Sequence, residues 1–151
     1  MTTQASSRVL TSSLTNGAQL FVFSVRQWLI AAHSKQCVHA RLGGFYERFE
    51  VTSALPILDE LMCLLAATAF RGVEVNCPCR VDLGEDELLL LRAMQALQRR
   101  DRVTATEVME GLLSGSFRTT FNRIAEAYLE VLERGKLQVT GVRYLSSVQT
   151  H

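Results

Sequence analysis

Four side chains have the chemistry and the pairing to hold a metal ion: Cys37 with His39, and Cys77 with Cys79, each pair separated by one residue. Thiolates and imidazole are the donors zinc prefers, and four of them make a closed tetrahedral structural site. The spacing is tight, since structural zinc knuckles use roughly two to four intervening residues. The plainer reading makes Cys37 and Cys77 small semi-buried thiols and His39 a solvated loop residue. A redox reading of Cys77-Pro78-Cys79 meets a similar objection. Dithiol motifs normally place two residues between the sulfurs, at a helix N-terminus that lowers the thiol pKa, and a one-residue disulfide would be strained.

A second constellation lies in residues 104–134. Thr104–Leu113, the turn Ser114-Gly115-Ser116 and the stretch Phe117–Glu133 have the layout of a helix-turn-helix. The start of the second helix would present Arg118, Thr119, Asn122 and Arg123 to phosphates and base edges, with Arg99, Arg100 and Arg102 adding backbone contacts. Glu126, Glu130 and Glu133 load the same helix with negative charge, and a net charge of +1 supplies no global field for a polyanion.

For acid–base or nucleophilic catalysis the residues offer little. His33, His39 and His151 are the histidines, and no Gly-x-Ser-x-Gly elbow, phosphate loop or His-Glu-x-x-His motif occurs. Asp59-Glu60 and Asp86-Glu87 are adjacent pairs, so within each pair the carboxylates point to different helix faces. They read as first-turn helix charges, with an ion pair from Asp59 or Glu60 to Arg92 or Arg99 as one imaginable use. No catalytic residue and no cofactor is assigned, structural zinc being the alternative.

The elements that must position these groups are helical. Two prolines and abundant Leu, Ala, Glu, Gln and Arg favour helix over strand. The stretch Val81–Arg100 carries acid in its first turn (Glu85, Asp86, Glu87) and base in its last (Arg99, Arg100), as the helix dipole prefers. Its polar residues form only a narrow stripe, Arg92, Gln95 and Arg99, so the leucine quartet Leu88–Leu91 should be enclosed by neighbours on several sides.

Ahead of it, Leu20, Phe21, Phe23, Val25, Trp28, Leu29 and Ala32 predict a helix from Ala18 to Gln36. Residues 40–49, interrupted by Gly43-Gly44, read as a loop or two short helical turns. Thr52 or Ser53 then caps an apolar helix stopped by Gly72, expected to pair antiparallel with the central one. Thr104 and Glu107 have capping-box spacing, Ser116 should cap the last long helix, and Gly135 ends it. Lys136–Leu145 alternates weakly, as one short strand or an extended arm.

Charge is uneven along the chain. Basic against acidic residues count five to two over 1–50, two to seven over 51–91 and nine to six over 92–151. The start lacks a basic region followed by an apolar one, so no secretory signal is read, and Leu20–Ala32, broken by Arg26, is too short to span a bilayer. Four cysteines in that context are expected as reduced thiols in a cytoplasm.

The run Arg26-Gln27-Trp28-Leu29-Ile30-Ala31-Ala32, then Cys37, a Leu-rich helix and Asp86-Glu87-Leu88-Leu89, resembles uncharacterised small helical proteins of proteobacteria. Those share an Arg-x-Trp-x-x-Ala helix and a later Asp-Glu-x-x-Leu-Leu helix, and the similarity spans residues 20–115. The resemblance implies a bacterial cytoplasmic helical domain and carries no activity with it.

The expectation is therefore an all-α fold: a compact bundle of about five helices around a central Leu-rich helix, with a short extended C-terminal segment. Residues 1–16, rich in Ser and Thr, would be a loose tail before a single domain, 17–151. The apolar excess, including Phe45, Tyr46, Phe49 and the aromatic first helix, points to a non-enzymatic binding or regulatory module that forms a homodimer, with no membrane partner.

Overall fold

The computed structural model describes residues 8–141. Among these the chain forms α1 (Asn16–Ser34), α2 (Val38–Arg48), α3 (Ala54–Thr68), α4 (Glu85–Gln98), α5 (Arg102–Val108) and α6 (Gly115–Arg134), with 3₁₀ turns at Thr11–Ser13 and Met109–Gly111. No strand occurs among the described residues, and Leu10 and Asp82 form an isolated antiparallel bridge. The all-α reading holds.

The helix beyond the expected five is α2, which runs without a break through Gly43 and Gly44. Two helical glycines cost about 2 kcal/mol relative to alanine. Leu42 and Tyr46, one turn apart, are fully buried, and each side chain of that size returns about 1.5–3 kcal/mol. Packing outweighs the local preference, so a stretch that reads as a loop folds as a helix.

Partner choice also differs from expectation. The apolar helix α3 buries Leu55, Leu58, Leu61, Met62 and Leu65, but it packs chiefly on α6 rather than on α4. Helix α4 sits among α1, α5 and α6. It buries Leu90, Leu91, Ala93, Met94, Ala96 and Leu97, whereas Leu88 and Leu89 are half-buried. On α6, Phe121, Ile124, Tyr128 and Val131 form the inward line, and Phe117, which continues the same spacing one turn earlier, is exposed.

Two helix starts fall elsewhere than predicted. Asp101, not Thr104, caps α5, its carboxylate accepting the Thr104 amide at 3.1 Å and the Thr104 hydroxyl at 2.7 Å. Helix α6 begins at Gly115, so Ser116 lies inside it.

Both ends of the described chain are docked. Within the stretch expected as a loose tail, the Thr11 amide donates to the Val81 carbonyl at 2.8 Å, the Leu83 amide donates to the Val9 carbonyl at 2.9 Å, and Leu14 is buried. Residues 1–7 lie outside the described part. After α6, Leu137 and Val139 turn inward and Gln138 outward, the alternation of an extended arm. The Gln98 side chain fastens that arm by accepting the Val139 and Thr140 backbone amides at 2.7 and 3.1 Å, while the Gln95 side-chain Nε2 donates to the Val139 carbonyl at 3.0 Å. The remainder of Lys136–Leu145, from residue 142, lies outside the described residues. No helix among the described residues is long and apolar enough to cross a membrane.

Candidate functional site

The irregular connection from Ala69 to Gly84 joins α3 to α4, and it would wander without an anchor. The anchor is a buried ion pair. Arg26 on α1 donates to both oxygens of Glu87 on α4, at 2.7 and 2.9 Å, with 4% and 1% of the two side chains exposed. Every remaining bond of the pair goes to the connection. The Arg26 guanidinium also donates to the Arg80 carbonyl at 3.0 Å and the Asp82 carbonyl at 2.9 Å. Glu87 accepts the amides of Asn76 and Gly84, both at 2.9 Å.

A second clasp lies beside the first. Arg71 grips Asp86 with two bonds, at 2.7 and 2.9 Å, and Asp86 also accepts the Glu74 amide at 2.8 Å. The hydrogen bond and charge of Arg71 hold the Asp86 carboxyl below the usual carboxylate range against the opposing effect of burial. The acidic first turn of α4 therefore does more than complement the helix dipole. It ties down the preceding loop.

What the two clasps present is the turn Cys77-Pro78-Cys79-Arg80. The Arg80 amide donates to the Cys77 carbonyl at 2.9 Å, closing a β-turn with proline at its favoured second position. The Cys79 amide donates to the Cys77 sulfur at 3.3 Å, and both thiols are exposed. The Cys79 thiol, helped by the Cys79 amide, lowers the Cys77 pKa, and the pairing raises that of Cys79.

Two recesses border this turn. A broad cleft of about 1180 Å³ runs between the C-terminal half of α1 (Leu29, Ile30, His33), the loop Val73–Pro78 and the start of α4. Its charged floor is self-satisfied, Arg26 with Glu87 and Arg71 with Asp86. The leucine quartet does not line it. On the other side, a groove of about 290 Å³ is walled by Leu20 and Phe23 of α1, by Phe45 and Phe49, and by Pro78 and Arg80. Phe23 meets Phe45 edge-on at 4.7 Å, and the Arg48 guanidinium lies over Phe45. Tyr46 does not face this groove. It is buried in a hydroxyl chain with Ser24 at 2.7 Å and Tyr128 at 2.8 Å.

Of the residues proposed as zinc ligands, only Cys77 and Cys79 share a turn. Cys37 precedes α2 and His39 lies in its first turn, both exposed. Among the described residues no three His, Cys, Asp or Glu side chains converge as a metal site.

The four side chains proposed to read nucleic acid are split. Thr119 and Arg123 are exposed, Arg118 is half-buried, and Asn122 is buried, donating to Thr106 of α5 at 3.0 Å. Arg102 and Arg100 are engaged by Glu126 and Glu133 of α6. Asp59 accepts the Trp28 indole N–H at 2.7 Å instead of pairing with an arginine of α4.

Sequence reasoning missed the roles of Arg26, Arg71, Asn76 and Glu87. The one local signal for the central pair is that Arg26 is the single charged residue in the apolar run Leu20–Ala32. Neither a scan of protein-family models nor searches of curated proteins and of solved structures return a match for the chain.

Proposed function

We propose that this chain is a non-enzymatic helical binding and regulatory module that self-associates, a second copy docking on the face around Phe23, Phe45 and Phe49. The observation that carries the reading is an aromatic hollow with two exposed aliphatic side chains next in sequence to its lining. Leu10 and Val81 are 41% and 60% exposed. They are the chain neighbours of Thr11 and Arg80, which line the aromatic groove. An isologous interface needs a patch that complements itself under a two-fold rotation, and protruding aliphatic side chains beside an aromatic recess meet that condition. Asp82 pairs with both Arg8 and Arg80, which offsets one of the two positive charges beside the groove, and salt screens the one left over as a second copy approaches.

Sedimentation equilibrium tests the proposal. The wild-type chain should be dimeric at micromolar concentration, while Val81→Glu and Leu10→Glu should each be monomeric with unchanged helical circular dichroism. A wild-type monomer at high micromolar concentration sinks self-association. A dimer that survives both substitutions sinks this face.

A further inference from the structure

We propose that Cys77 and Cys79 form a two-coordinate site for a soft, thiophilic monovalent cation, Cu(I), held by two thiolates on a single exposed turn. Three observations support the assignment independently of self-association. The thiols occupy the first and third positions of one closed β-turn, with the Cys79 amide bonded to the Cys77 sulfur, so both sulfurs belong to one small, ordered unit. The flanks of that turn are fixed from below by the buried ion pair: Glu87 holds the Asn76 amide and Arg26 holds the Arg80 carbonyl. A site held this way loses little conformational freedom when a ligand arrives. Finally, among the described residues no third His, Cys, Asp or Glu joins the pair.

Ligand number and softness select the ion. Zinc in a structural site takes four donors, and calcium and magnesium take oxygen. Thiolate donors favour soft cations such as Cu(I), and a filled d shell accepts two opposed thiolates without further ligands. Binding releases one proton from each thiol to solvent and changes the oxidation state of neither sulfur nor copper. The guanidinium of Arg80, on the same turn, is held by Asp82, which Arg8 also pairs, so the two arginines together leave one positive charge near a bis-thiolate Cu(I) complex.

The test titrates the reduced full chain, without oxygen, with Cu(I) bicinchoninate and follows loss of the chelate colour. One Cu(I) per chain should be withdrawn. Cys77→Ser and Cys79→Ser should each weaken uptake by at least about 100-fold, the upper end of what even an outer-shell change costs a metal site. Cys37→Ser and Cys63→Ser should leave uptake unchanged, and X-ray absorption should report two sulfur neighbours in a linear arrangement. All four thiols are exposed, so circular dichroism should be identical across the set. No withdrawal of Cu(I), uptake indifferent to Cys77→Ser and Cys79→Ser, half an equivalent per chain, or three sulfur neighbours would each overturn the proposal.

Discussion

Arg26 and Glu87 face each other with 4% and 1% of their side chains exposed, and that makes each dependent on the other. A buried pair is not in itself a strong source of stability, because desolvation consumes most of the attraction. Losing one partner is another matter, since it strands a charge and frees the amides and carbonyls that the partner held. Arg26→Met and Glu87→Leu are each expected to lower the free energy of urea unfolding by about 3–5 kcal/mol, and the double variant should lose much less than the sum. Strictly additive losses would mean that the two groups do not act as a unit. The tyrosines carry a different signature. Burial pushes Tyr46 up to about 12 and Tyr128 well above its ordinary value. Raised folded pKa values mean stability that is complete below the phenol's usual pKa of about 10 and is lost as pH climbs through the folded value. The phenolate absorbance of these two rings should therefore appear together with loss of helix, not before it.

At the scale of elements, the joints between segments are the sensitive places. A Cβ at Gly17 would stand 2.6 Å from the Gln138 carbonyl oxygen, and the Thr15 hydroxyl bonds to that same carbonyl. Gly17→Ala should push the arm off α1, costing about 1–3 kcal/mol as an overpacked contact does. Hydrogen exchange at the Val139 and Thr140 amides should quicken in that variant, and unaltered protection would show that the arm does not bear on α1. The Arg71–Asp86 clasp predicts the acid limb. Because Asp86 is held below the usual carboxylate range, its contribution is present above about pH 3.9, the ordinary aspartate value, and fades as pH falls through the lowered one. Asp86→Asn should flatten the slope of stability against pH below that value. It should also speed exchange at the Glu74 amide, which donates to Asp86.

For the whole molecule, the proposed self-association would link folding to concentration. A dimer that unfolds to monomers has a melting temperature that rises with protein concentration. That dependence should be present in the wild type and absent in Val81→Glu. Helical class and the approximate ends of α1, α3 and α4 were legible in the order of residues, because apolar spacing at three and four positions is a local property that any water-soluble packing must respect. The course of α2 was not legible, since two glycines argue against helix and only the burial of Leu42 and Tyr46 reverses them. Nor was the pairing of α3 with α6, because several apolar faces can satisfy one another and the choice depends on loop paths and on fit. The same limit applied to the site. Cys77 and Cys79 declared themselves by type, but Arg26 and Glu87 stand 61 residues apart, and each taken alone reads as an ordinary surface charge. By itself the chain decided which segments coil and which of their faces avoid water. Tertiary structure alone decided which charge meets which, because a buried ion pair is a relation between distant residues and leaves no period along the chain.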